Sequence, residues 1–407
     1  MHEDHGPVRY GPPAPDPGLP VIPELAAVLA AAAARTAAAD RTRPEPPGGG
    51  PGLREAACAY WARRGLHGGP ENIVAAPGDQ PLLLALIAAH GGDVLMPRPC
   101  PATWMPQARL LGTPAYQVPT PAECGGVPDP YALLETVRRV RAEGGRPKLL
   151  VLSVADDPTA TVAPPELVRE ACEAAVGEGM HIISDETWRD TVHRPRDTVL
   201  LSPAEMCPDD VTVISDLSGG LTPAAWPVAV ARFPETGRGA VRRARTLDVL
   251  TALGALVAGP LAPAAAHALG EPEAVRERIR QAAGLQSQVA AAAHRAVLTA
   301  GALARPPQAG RHLYADLGPL RSRLADLGVT DSMELEEYLT DRLGAPTPGG
   351  HRFGDELGAL RVRLGTGPLL GATAEEQRES LTAEEPLELP HVARALSRFA
   401  AAFGELR

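Results

Sequence analysis

Between about residues 70 and 220, short apolar runs bounded by Gly, Pro and Asp alternate with longer segments whose apolar positions recur at helical spacing. The short runs read as strands and the periodic segments as helices. On this reading 73–76 is a strand, Pro77, Gly78, Asp79 and Gln80 turn into an apolar helix ending near His90, and 93–96 is the next strand. Residues 104–111 are helical and 115–118 extend again. The central stretch is clearest: 149–154 is an apolar strand, 164–177 a helix with Pro165 in its first turn, and 181–184 and 211–215 are further strands. Strands that are apolar throughout, without alternation, mark a parallel sheet buried on both faces.

Upstream, an Ala-rich helix over 23–39 precedes a Pro- and Gly-rich loop over 43–52 and a second helix over 53–64. Beyond Arg242 the pattern is mostly helical to Ala304, including a long helix over 273–298. Strands near 312–316 and 360–364 and a last helix over 390–403 follow. The order predicts an α/β fold with a mostly parallel central sheet, helices on both faces and a smaller α+β domain. The expected divisions are an N-terminal arm and helix (1–48), a large α/β domain (49–270), and a small α+β domain (271–407) completed by part of the N-terminal segment.

The chain's 407 residues exceed one ordinary core, and 44% apolar residues suffice for buried globular structure. Acids and arginines are interspersed at a net charge of -10, which leaves no footprint for nucleic acid or an anionic membrane. The uncharged stretch 249–270 is broken by Pro260 and Pro263 and reads as two short buried helices, not a membrane span. The run 25–39 is shorter than a span and ends in Asp40 and Arg41, and His2, Glu3, Asp4 and His5 lack the form of a secretory signal. A soluble, cytoplasmic protein is expected. Cys58, Cys100, Cys124, Cys172 and Cys207 lie far apart without metal-ligand spacing, so they read as isolated thiols and no metal is expected. Lys148 is the one lysine, in a composition that favours Arg throughout.

Five fragments fall in an informative order: Leu53 to Ala56, Glu71 to Gly78, Asp157-Pro158-Thr159-Ala160, Ser184-Asp185-Glu186, and Phe353-Gly354 to Leu360-Arg361. Together they resemble the fold-type I pyridoxal-phosphate enzymes of the class I/II aminotransferase family over nearly the whole chain. The resemblance implies an aminotransferase-like fold and a cleft at the carboxyl ends of the parallel strands. It also implies a lysine amine bound covalently to the cofactor. Gly219 stands at that lysine position, and Lys148 precedes a buried strand whose far end faces the cleft. In the phosphate cup Gly78 keeps the turn, Asp79 follows it, Asp216 replaces a serine, and Pro227 holds an arginine position. Two carboxylates without that cation are expected to repel a phosphate.

The cofactor-binding positions that the resemblance implies are Gly78, Asp79, Asp157, Asp185, Trp188 and Ser218. Asp185 matches the aspartate that pairs with the pyridine nitrogen, Asp157 replaces an asparagine at the ring's 3-oxygen, and Trp188 replaces a tyrosine there. Arg361 matches the arginine that grips the substrate carboxylate as a fork. His351 is a weaker candidate for the cleft, and Trp104 and Trp226 read first as core or interface residues.

From Gly219 and the altered cup the expectation is a degenerate member: an aminotransferase-like pseudoenzyme with no cofactor, or with pyridoxal phosphate bound only noncovalently, and a cleft inactive or repurposed for another small molecule. The alternatives are a PLP-independent enzyme using Asp185 and Asp157 as acid or base, and a PLP-binding enzyme of the family. The resemblance further implies a homodimer, or a heterodimer with an active homologue.

Overall fold

The computed structural model describes residues 18–38, 44–121 and 124–406. The expectations for His2 to His5, Asp40 and Arg41 lie outside the described residues. Two helices, α1 (Pro23–Ala38) and α2 (Pro51–Ala62), lead into β1 (Ile73–Ala76). The alternation that follows is α3 (Asp79–His90), β2 (Asp93–Arg98), α4 (Trp104–Leu110), β3 (Ala115–Pro119), α5 (Pro130–Ala142), β4 (Pro147–Ser153), α6 (Pro165–Gly177) and β5 (His181–Asp185). Then come α7 (Pro203–Met206), β6 (Val211–Asp216), β7 (Ala229–Arg232), α8 (Gly237–Ala252), α9 (Leu261–Leu269) and the long α10 (Glu273–Thr299). The remainder is β8 (Leu303–Ala304), β9 (His312–Asp316), α11 (Arg321–Asp326), α12 (Ser332–Leu343), β10 (Arg361–Gly365), α13 (Ala374–Thr382) and α14 (Pro390–Gly404).

The large sheet runs β1-β7-β6-β5-β4-β2-β3, parallel except for β7, which is antiparallel to both neighbours. The apolar strands of the sequence are the ones covered on both faces. In β4, Leu149 and Val151 join the cluster under α3, whereas Leu150 and Leu152 join the opposite cluster with Leu133, Val137 and Val168 of α5 and α6. Alternate side chains point to opposite faces, so a strand sandwiched by helices has no polar register to keep. The antiparallel sheet β10-β9-β8 packs with α10 and α14 around a separate cluster that includes Leu313, Val362, Leu364, Phe399 and Phe403. The expected α/β architecture with a mostly parallel sheet is therefore the observed one.

The hydrophobic pattern does not resolve β7. Its Ala229-Val230-Ala231-Arg232 run is short and small, and it becomes a strand because β1 and β6 pair with its two edges. The 249–270 stretch is the end of α8, a loop and α9, and no helix among the described residues is long and apolar enough to cross a membrane.

Candidate active site

Parallel strands end on one edge of the sheet, and three of those ends deliver carboxylates to a single cleft of about 320 Å³. Asp157 follows β4, Asp185 closes β5 and Asp216 closes β6, while Asp79 opens α3 beside them. Trp188 and Ser218 line the same cleft, and Gly78 makes the turn into α3 at φ 102°. A β-carbon at Gly78 would lie 3.6 Å from Asp216 Oδ2. The fold thus gathers Gly78, Asp79, Asp157, Asp185, Trp188 and Ser218 at one place.

Thr187 ties two of these strand ends together. Its N–H donates to Asp185 Oδ1 at 2.9 Å, and its hydroxyl accepts from the N–H of Asp216 at 3.0 Å. Asp216 in turn accepts from Ser218 N–H through Oδ1 (2.7 Å) and from Asp79 N–H through Oδ2 (2.9 Å). The backbone donors at the start of α3 and after β6 are therefore already turned onto an internal anion.

Burial sets the protonation here. It raises Asp185 to about 6 against the opposing hydrogen bonds from Thr187. Burial, then the charges of Asp216 and Asp185, raise Asp79 to about 8, and Asp216 is also raised by burial. Asp79 thus keeps its proton near neutrality, and the pair carries less charge than two ionised carboxylates. The expected repulsion of a phosphate counted both groups as fully charged, whereas burial raises both, and a protonated Asp79 is a donor.

Across the cleft, Arg361, the residue expected to bind substrate, does not line the cavity. Arg361 pairs with Asp316 (3.1 Å) and Asp355 (3.0 Å) outside the cleft. Arg363, two residues on, lines the cleft, and its Nη1 donates to Asp157 Oδ1 at 2.7 Å and Oδ2 at 3.0 Å. Both arginines stand on one face of β10, but only Arg363 lies at the end that meets the 157 turn. Burial alone would raise Asp157, yet Arg363 and His312 outweigh it and hold the carboxyl below its ordinary value. His312 Nε2 is 3.6 Å from Asp157 Oδ1 and its ring meets Trp188 edge-on.

The remaining candidates lie elsewhere. His351 is buried, with Nδ1 3.1 Å from Ser332 Oγ and Nε2 3.8 Å from Glu336. Trp104 belongs to the cluster under α3 and Trp226 packs on the opposite one. Thr187, His312 and Arg363 are the site residues that sequence reasoning did not assign. Arg363 stands two residues after Arg361 on the same strand face, so residue type and face alone do not separate it from the assigned Arg361.

Pyridoxal phosphate fits this cleft on its ring side and not at a covalent anchor. Asp185 offers a carboxyl to a protonated ring nitrogen, and Asp79, Ser218 and Arg363 supply polar groups around it. At Gly219, however, a β-carbon would sit 2.1 Å from the carbonyl oxygen of Thr187, so the backbone accepts no side chain there. Lys148 is exposed at the opposite end of β4, on the order of 17 Å along the strand from Ser153.

A family model described as aminotransferase class I and II matches residues 21–366. A probable aspartate/prephenate aminotransferase of Thermus aquaticus is 29% identical over 205 residues, covering 49% of this chain and 51% of that protein. The aspartate aminotransferase of Pyrococcus horikoshii is 24% identical over 152 residues, 36% of this chain and 37% of its own. The chain spans about half the length, or less, of these curated relatives. Among solved structures, the aspartate aminotransferase from Thermus thermophilus with maleate superposes with a TM-score of 0.74 at 22% identity, covering 96% of this chain and 90% of that one. N-succinyldiaminopimelate aminotransferase from Mycobacterium tuberculosis gives 0.74 at 20% identity, covering 96% and 92%. These likenesses show the fold.

A family match of that extent, running through every strand end of the cleft, overturns the expectation of a degenerate, PLP-independent pseudoenzyme and of a cleft without cofactor. That expectation rested on single positions, Gly219 and Asp216 above all, whereas the match and the superposition follow the whole succession of elements that builds the site. The chain belongs to the class I and II aminotransferase family.

Proposed function

We propose that the chain is a pyridoxal-phosphate-dependent enzyme of this family, acting on an amino-acid-like substrate, with the cofactor held in the cleft by noncovalent contacts. The observation that carries this reading is the meeting of Asp185, Asp79 and Ser218 with Arg363 around one cavity. When bound, the cofactor supplies an electron sink for chemistry at the substrate's α-carbon. Asp185 holds a proton at the ring nitrogen, and its raised value of about 6 suits a shared proton. Asp79, raised to about 8, donates its carboxyl proton to a phosphate oxygen.

Arg363 presents its remaining guanidinium N–H groups to a substrate carboxylate while Asp157 fixes its orientation through Nη1. Asp157, held ionised by that pair, serves to orient and not to carry a proton. The relatives named for aspartate and prephenate support a carboxylate-bearing substrate. Family membership supports a homodimer, to be checked by light scattering.

Absorbance titration with pyridoxal phosphate and with pyridoxamine phosphate tests the reading. The expected result is a saturable spectral change, no borohydride-fixed adduct within the cleft, and tighter binding as pH falls through about 8 and Asp79 takes up its proton. Asp185→Asn weakens binding about tenfold or more, the scale of a lost charge-assisted hydrogen bond. No saturable change with either compound would overturn the proposal.

A further inference from the structure

The cleft, at about 320 Å³, is near the small end of the range for ligand sites, about 300–1,000 Å³, and pyridoxal phosphate would fill most of it. A substrate held at Arg363 then has little room for a side chain inside the cleft itself. A second cavity, of about 460 Å³, lies on the other face of β10. The strand separates the two: Arg363 lines the cleft, and Leu364, which points to the opposite face, lines the second cavity.

That separation stops where β10 ends. Pro346, Gly365 and Pro368 line both cavities. Gly365 is the last residue of the strand and shares a face with Arg363, two positions or on the order of 7 Å away. Chain neighbours aside, a β-carbon built on Gly365 meets nothing closer than Pro368 Cδ at 4.0 Å, so the space over it is open. Its φ also lies outside the left-handed region. Neither backbone conformation nor packing demands a glycine at 365, yet a side chain there would stand in the opening between the two cavities.

The second cavity is apolar where it is deep. Leu364, Leu369 and Phe399 are buried along it, whereas its charged residues Asp341, Arg342 and Arg398 are exposed. We propose that the cleft continues over Gly365 into this cavity and that the substrate is an amino acid with a long apolar side chain. Its carboxylate stays at Arg363, and its chain passes over Gly365 toward Leu364, Leu369 and Phe399. The inference rests on the cofactor and carboxylate reading above and adds the side chain to it.

Calorimetric titration of the full chain, saturated with pyridoxal phosphate, with unbranched monocarboxylates from propionate to octanoate tests it. These probes carry the carboxylate and the chain but no amine to react. Affinity should rise about twofold to threefold per added methylene, the scale of partial apolar burial. Gly365→Leu should lower the octanoate-to-propionate affinity ratio about tenfold or more. Ala345→Leu, at a half-buried position that lines only the second cavity, should lower it about threefold. Because the ratio compares two ligands on one protein, a variant that is less folded or less loaded with cofactor leaves it unchanged. Affinity independent of chain length, or a ratio unchanged in both variants, would overturn the passage while Arg363→Met still weakens every probe. Failure of the underlying reading has a different signature: Arg363→Met then leaves propionate and octanoate alike at their original affinity, which removes the anchor and this inference with it.

Discussion

Replacing Asp79 by Asn isolates the proton that the cleft holds. Asp79 rises from 3.8 to about 8, with burial first and Asp216 and Asp185 behind it. A folded value above the unfolded one means that the folded chain binds more protons between those limits. Stability is therefore full below about 4 and falls as pH rises through 8. A rise of that size corresponds to at most about 6 kcal/mol, at 1.36 kcal/mol per tenfold change in proton affinity. Asp79 is partly open to the cleft and shares its proton with Asp216, so roughly half or less survives, about 2–3 kcal/mol. Asparagine has the same shape and never ionises. Urea unfolding at a series of pH values is then expected to show the original chain losing stability between about pH 5 and 9 more steeply than Asp79→Asn. The two should lie within about 1 kcal/mol of each other at pH 5 and separate to about 2–3 kcal/mol in favour of the variant at pH 9. Curves with the same offset at every pH would refute the assignment of the proton to this pair.

Gly219→Ala should destabilise by about 2–4 kcal/mol, because its β-carbon would meet the Thr187 carbonyl at 2.1 Å, and urea unfolding at one pH suffices to check it. Ala160 sits at φ 59°, where a β-carbon is strained by about 1–2 kcal/mol, so Ala160→Gly should gain about 0.5–1 kcal/mol after the added freedom of the unfolded chain is subtracted. A lower melting temperature in that variant would count against the strain. Asp157 has a depressed folded value, so its contribution is present above about 4 and is lost as pH falls toward the folded value. In Asp157→Asn that acid-side slope should vanish at a cost near about 1–2 kcal/mol at pH 7, since the pair is partly exposed. Arg363→Met should weaken a carboxylate ligand of the cleft about tenfold or more while Arg361→Met leaves it within about twofold. Equal losses in the two would return the grip to Arg361.

How far the sequence spoke depends on what fixed each feature. Strands β4, β5 and β6 were legible to within two residues because both their faces are covered, which leaves uninterrupted apolar runs such as Leu149 to Leu152. The placing of Asp185 at a strand end followed from the same run. By contrast, β7 has no signature of its own and exists through its neighbours. The choice between Arg361 and Arg363 is not written in residue type or in strand face; it depends on which end of β10 approaches a turn some two hundred positions away. The hydrogen bond from Asp79 N–H to Asp216 joins positions 137 apart, and the proton it accompanies comes from burial, which a charge count along the chain does not register. Reading Asp79 and Asp216 as two full charges, together with Gly219, led to a cofactor-free pseudoenzyme, and the family match overturned it.

The two points in the cleft that can receive an anion each carry a carboxylate of the chain itself. Asp216 takes the N–H groups of Asp79 and Ser218, and Asp157 takes Arg363. A phosphate or substrate carboxylate arriving there meets donors already in use, so its affinity is the difference between two charge-assisted contacts and not the full worth of one. Asp157 has little tendency to protonate, being held ionised by Arg363, so the substrate end of that exchange is nearly independent of pH near neutrality. At the other end Asp79 and Asp216 are both raised, and each proton they take removes negative charge from the place where a phosphate would sit. Acidification from about 9 toward 6.5 should therefore tighten a phosphorylated ligand while leaving a plain dicarboxylate such as succinate at Arg363 almost unaffected, and this difference separates the two halves of the cleft without any mutation.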